Sequence, residues 1–188
     1  RQILEVLVEH EHPFSIVTKS ALVERDLDLI APMAAKNMAR VYLSVTTLDP
    51  GLSRRLEPRA PVPSRRLAAI RALSGDGVPV RVMVAPVTPV LTDHELEAIL
   101  EAAAGAGACA ASWILLRLPH EVAPLFRDWL ARNEPGKAAH VMSRLREMRG
   151  ELLESGVTLV PVSALVRGAP TAAPGAALVS SIPAPAPG

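Results

Sequence analysis

Four short apolar runs punctuate the chain: "PFSIVTKS" (13–20), "RVYLSVTT" (40–47), "PVRVMVAPV" (79–87) and "ASWILLRL" (111–118). Their length and β-branched content predict strands. Between them the apolar spacing changes to three and four. "RDLDLIAPMAAKNM" brings Leu27, Ile30 and Met33–Ala34 to one face, with Pro32 expected at a helix start or a kink. "SRRLAAIRAL" aligns Leu67, Ile70 and Leu73 and stops at "GDG", and "DHELEAILEAAAGAG" aligns Leu96, Ile99 and Leu100 before its glycines. Thr92 and Glu95 have the T-x-x-E spacing of a capping box for that last helix. "EVAPLFRDWLARN" and "KAAHVMSRLREMRG" predict two further amphipathic helices, and "RQILEVLVEHEHP" at the start is already helical in character.

Strands that begin about 27 to 39 residues apart, each followed by helical sequence, are βαβ units. They predict a parallel sheet covered by helices, either doubly wound or part of a β/α barrel. The strand faces favour the barrel. Val41, Leu43 and Val45 oppose Tyr42, Ser44 and Thr46, while Val80, Val82 and Val84 oppose Arg81, Met83 and Ala85. A doubly wound sheet is apolar on both faces; here one face is polar, as in a barrel whose lumen is a site. No G-x-G-x-x-G or G-x-x-x-x-G-K-[ST] follows a strand, which removes those two modes of nucleotide binding.

Composition adds limits. A chain of 188 residues can bury a core, and a net charge of +1 supplies no general grip on nucleic acid. Charged residues and prolines break every apolar run before it could span a bilayer, and a lone Cys109 offers neither a disulfide nor a cysteine metal site. A cytoplasmic protein is expected. A start at Arg1, inside helical sequence, reads as a piece of something longer. Residues 151–188 are Ala/Pro/Gly-rich; only "VTLVPV" has strand character, and the segment is expected to be a disordered tail.

In β/α barrels the chemistry gathers at the carboxyl ends of the strands. Those ends are Lys19–Ser20, Thr46–Thr47–Asp49, Ala85–Pro86 and Arg117. Two cations among hydroxyls point to an anionic or ribose-bearing ligand. The plainer reading has Lys19 and Arg117 reaching to solvent while the hydroxyls satisfy local backbone.

Taken in order, "VTKS", "SVTTLD" with "LEPRAPVPSRRLAAIRAL", then "GVPVRVMVAPVTPVLTDHE" and "ILLRLP" resemble the second half of a radical S-adenosylmethionine (SAM) enzyme. The likeness is to the bacterial branch related to spore photoproduct lyase and runs over residues 1–150. It implies a partial β/α barrel, here its third to sixth strands, and an enzyme in which a 4Fe-4S cluster cleaves SAM and the resulting radical abstracts hydrogen from substrate. The CxxxCxxC loop that holds the cluster would lie upstream of this chain. By resemblance Ser44 and Thr46 contact the ribose and methionyl parts of SAM, Glu57 and Arg59 of "EPR" form a polar pair, and Arg59 meets the SAM carboxylate. Ala85 and Pro86 lie along the adenine, backbone around Arg117 takes the adenine edge, and Lys19 faces the substrate. The relatives continue differently after "MRG".

Other features compete. Arg54, Arg55, Arg59, Arg65 and Arg66 are either a phosphate-binding patch or, better supported at this net charge, a solvated helix surface. His10 and His12 do not share a helix face, His94 sits at a helix start, and His120 at a strand end is the histidine kept as a site candidate. Cys109 falls at the amino end of its strand, away from the chemistry, and is expected to be buried, as are Trp113 and Trp129. Two further functions stay open: a non-catalytic truncated barrel or binding module, and a barrel enzyme that binds a phosphorylated metabolite through Lys19 and Arg117.

Overall fold

The computed structural model describes residues 1–151 and 160–161. Helix α1 (Gln2–Glu9) leads into strand β1 (Phe14–Thr18), a 3-10 turn (Ala21–Asp26) and α2 (Leu27–Ala35). Strand β2 (Ala39–Ser44), helices α3 (Pro50–Leu56) and α4 (Pro63–Gly75), and strand β3 (Val80–Val87) follow. A 3-10 turn (Asp93–Glu95), α5 (Leu96–Gly105), β4 (Ala110–Leu115), α6 (Val122–Asn133), α7 (Ala138–Glu151) and β5 (Val160–Pro161) complete the described chain. The sheet order is β1-β2-β3-β4-β5, with the first four strands parallel and β5 antiparallel on β4. Consecutive neighbours without a reversal of order are what a β/α barrel unrolls to. The result is an α/β fold with a four-stranded parallel sheet, consistent with a partial barrel.

The tail expected over 151–188 lies outside the described residues, apart from Glu151 at the end of α7 and Val160–Pro161 of "VTLVPV", which pair with Ala111 and Ala110.

The core forms where the alternation placed it. Val41, Leu43, Val45, Val80, Val82 and Val84 are at most 1% exposed and pack on Ile30, Met33, Ile70, Leu73, Ile99 and Ala103 from the helices. A smaller cluster of Leu91, Leu130, Val141 and Leu145 anchors α6 and α7 to the loop after β3 and to the end of β4. Pro32 sits inside α2 without stopping it, because Ile30, Met33 and Ala34 bury on either side of it. Helix α3 carries no apolar stripe in the sequence. It is nucleated by Asp49, whose side chain accepts a hydrogen bond from the Gly51 amide at 2.7 Å, and by Pro50 at its first position.

Four expectations change. Thr92 does not cap the helix after it: its hydroxyl accepts from the Thr88 amide at 2.9 Å and closes the apolar loop on itself, with Val90 at φ 69°. Cys109 is exposed, its thiol 3.2 Å from the Val80 carbonyl. Trp113 is 38% exposed, because it lies near the end of β4, beyond the tightly covered part of the sheet. Trp129 is only partly buried; it stacks on Phe126 with centroids 5.9 Å apart and donates from Nε1 to the Arg55 carbonyl at 3.2 Å.

Gly107 joins α5 to β4 at φ +99°, and a Cβ there would come within 2.8 Å of Ser74 Cβ at the end of α4. Gly107→Ala is expected to destabilise the protein by about 2–4 kcal/mol, combining the backbone cost of a non-glycine at that φ with overpacking. Urea unfolding of the variant measures it. Ser74→Gly, which removes the obstructing side chain, should recover the overpacking part alone.

Candidate cofactor site at the carboxyl end of the sheet

The carboxyl end is organised by one buried arginine. On α4 the residues that face inward are Arg66, Ala69, Ile70 and Leu73, a 3.6-residue stripe whose first member is charged. Arg66 is 1% exposed and spends its guanidinium on three acceptors. Nε donates to the Pro61 carbonyl at 2.8 Å, Nη1 to the Ser44 carbonyl at 3.1 Å, and Nη2 to Glu57 Oε2. The other oxygen of Glu57 accepts from Lys19 Nζ at 2.6 Å. The end of β1, the end of β2, the turn after α3 and the start of α4 are thus joined through one carboxylate. Burial pushes the Glu57 carboxyl up, but hydrogen bonds and charge from Lys19 and Arg66 outweigh it and hold the group below the usual carboxylate range.

A second tether crosses the same end. Glu95 accepts from the Thr47 hydroxyl at 2.9 and 2.8 Å and from the Leu48 amide, binding the β2–α3 loop to the segment that enters α5. The sequence spacing assigned Glu95 to a capping box, and the structure gives it to the neighbouring loop instead.

Between these tethers sits Thr46. It is 4% exposed, and its hydroxyl is buried with no hydrogen-bond partner among the described residues. Buried polar groups are nearly always paired, so an orphan hydroxyl marks a place where an acceptor or donor is still to come. Its neighbour Thr47 is satisfied through Glu95. On β3, past the Ser44–Met83 pair, Ala85 and Pro86 are half-buried, where β3 carries one residue more than β4 between the pairs Val84–Trp113 and Val87–Leu115. The bond between Ala85 and Pro86 is cis.

The remaining candidates spread out. Ser44 is 5% exposed, and its carbonyl, not its hydroxyl, meets Arg66. Arg59 is exposed in the turn between α3 and α4 and makes no hydrogen bond among the described residues; the guanidinium that meets Glu57 is that of Arg66. Arg117 is exposed beyond β4, and the Leu116 amide beside it is spent on the Val87 carbonyl at 2.9 Å. Lys19 meets Glu57 at 2.6 Å, while Arg117 makes no hydrogen bond or ion pair through its side chain among the described residues. His120 is exposed. The arginine-rich stretch is neither one patch nor one solvated surface: Arg55 meets Glu134 at 2.7 Å, Arg65 meets Glu24 at 2.6 Å, Arg66 is buried, and Arg54 and Arg59 are exposed. Sequence reasoning missed Arg66 as an organiser, although its spacing with Ile70 and Leu73 was readable.

Residues 1–103 match the Radical SAM superfamily. The chain belongs to that superfamily. It is also 39% identical over 148 residues to uncharacterized proteins of Mycobacterium tuberculosis and Mycobacterium bovis, covering 78% of this chain and 42% of theirs. An uncharacterized protein of Methanocaldococcus jannaschii is 30% identical over 88 residues, covering 47% of this chain and 33% of that protein. The chain therefore spans less than half the length of these curated relatives. Radical SAM proteins generally use SAM and a 4Fe-4S cluster. The Thr46 hydroxyl, buried and without a partner among the described residues, leaves room for a polar ligand group at this end of the sheet. A cluster does not suit these residues: the chain has one cysteine, and no group of three metal-binding side chains occurs among the described residues. Among them, too, no helix is long and apolar enough to cross a membrane.

Proposed function

We propose that this chain is the SAM-holding half of a cytoplasmic radical SAM enzyme of the spore photoproduct lyase-like branch, closed in the whole protein into a β/α barrel. The observation that carries the reading is the Thr46 hydroxyl just past the carboxyl end of β2, buried and unpaired among the described residues, in a chain of this superfamily. When bound, SAM together with a cluster held elsewhere in the whole protein would supply hydrogen-atom abstraction. The residues here orient it. Thr46 and Ser44 hold the ribose and methionyl groups, Ala85 and Pro86 lie along the adenine, and the backbone around Arg117 takes its edge. Arg59, which makes no hydrogen bond among the described residues, would meet the carboxylate. Glu57, clamped by Arg66, keeps the Lys19 ammonium fixed at the mouth, toward the substrate. Nucleic acid is the substrate class that the collinear likeness to that branch supports, and a lyase or oxidoreductase reaction goes with it.

Equilibrium SAM titration of the full-length protein tests this. Thr46→Val keeps shape and removes the hydroxyl, and should weaken binding by about 0.5–1.5 kcal/mol; Arg59→Ala should weaken it by about 1.5–3 kcal/mol, as expected for a hydrogen bond to a charged group. Unchanged affinity in both variants, with the fold intact, would take these residues out of the site.

A further inference from the structure

The face of the sheet turned away from the helices carries a second feature, below the proposed SAM contacts. Tyr42 and Arg81 are register partners on β2 and β3, and the row above them is Ser44–Met83–Ser112. Arg81 Nη1 donates to the Tyr42 hydroxyl at 3.1 Å, and its guanidinium carbon lies 5.5 Å from the centre of the Tyr42 ring. The ring and the hydroxyl together fix the plane of the fork. Arg81 Nε is buried without an acceptor among the described residues. With Nη1 spent on Tyr42, the edge formed by Nε and Nη2 makes no hydrogen bond among the described residues, and it is the edge that matches the two oxygens of a carboxylate or phosphate.

Charge points the same way. Arg1, Arg25, Arg55, Arg65, Arg66 and Arg144 each meet a carboxylate. Arg81 meets none among the described residues, and neither does Arg40, which is also half-buried and lies on the same face of β2 two residues before Tyr42. Two part-buried cations therefore share one face with no counter-charge among the described residues, an arrangement that an incoming anion would complete.

We propose that Arg81, braced by Tyr42 and flanked by Arg40, is an oxyanion-binding site on this face of the sheet, taking a phosphate or carboxylate group of a ligand other than SAM. The site uses none of the residues assigned to SAM, so it stands or falls separately from that reading.

The test is calorimetric titration of the full-length protein with inorganic phosphate and, in a second arm, with acetate, each against chloride at matched ionic strength. Saturable binding is expected in at least one arm, and the arm that responds tells phosphate from carboxylate. Arg81→Gln should weaken it at least tenfold, and Tyr42→Phe, which leaves the ring but frees Nη1, severalfold, with SAM affinity unchanged in both. Tyr42→Phe keeps the question answerable should Arg81→Gln fail to fold. Absence of saturable binding in both arms overturns the proposal. So does equal binding by wild type and Tyr42→Phe or Arg81→Gln. A loss of thermal stability in Arg81→Gln that neither anion modulates would assign Arg81 to a structural ion pair instead.

Discussion

Replacing Arg66 by Met is expected to lower stability by about 3 kcal/mol, the low end for removing one member of a buried ion pair, because Lys19 still neutralises Glu57. Methionine fills the stem of the arginine but leaves the Ser44 and Pro61 carbonyls without their donor. The effect carries a pH signature. The folded carboxyl of Glu57 is held below its unfolded value, so its contribution is fully present above the unfolded pKa of about 4.3 and is lost as pH falls through the folded value. Wild-type stability should therefore fall as pH drops from about 5 through the depressed value of Glu57, and the fall should be smaller in Arg66→Met, whose carboxyl is depressed less. Urea midpoints of both proteins across that range provide the measurement. Equal pH slopes would show that Arg66 does not set the state of Glu57.

The 188-residue chain on its own is expected to take up no iron–sulfur cluster on anaerobic reconstitution and to cleave no SAM with dithionite. One cysteine cannot supply the three or four thiolates such a cluster needs, and Cys109 lies at the amino end of β4, opposite the candidate site. Among the described residues β1 pairs only with β2, and Ile3, Val6, Val17 and Leu22 are 54–77% exposed. An open strand edge beside exposed apolar side chains invites self-association, so the isolated chain should also run as an oligomer in sedimentation. A protein of the length of the mycobacterial relatives that carries a CxxxCxxC motif ahead of this segment should show both cluster absorbance and deoxyadenosine formation. A monomeric 188-residue chain that cleaves SAM unaided would overturn the assignment.

Much of the fold was legible because it rests on short-range periodicity. The alternation in "RVYLSV" and "PVRVMV" determined which side chains enter the core and which face away, and the order of strands and helices determined a parallel sheet. Helix α3 was not legible, since a proline and an aspartate cap make it without an apolar stripe. The burial of Trp113 and Cys109 was misjudged because a residue's hydrophobicity does not say how far the helices cover the strand that holds it.

The candidate site divides along the same line. That Ser44, Thr46, Ala85 and Pro86 gather at one end follows from the strand register, and the amino-acid sequence by itself determined it through spacing. Which cation meets which carboxylate was decided only in three dimensions. Lys19 is 38 residues from Glu57 in the chain, Glu95 is 48 from Thr47, and Arg55 is 79 from Glu134. Such pairs depend on how loops at the ends of separate strands approach one another. A charged side chain also carries no periodic preference that would announce its partner. The tertiary structure therefore chose Arg66 over Arg59 for Glu57, took Glu95 from its helix cap to the loop beside it, and left the Thr46 hydroxyl buried without a partner among the described residues.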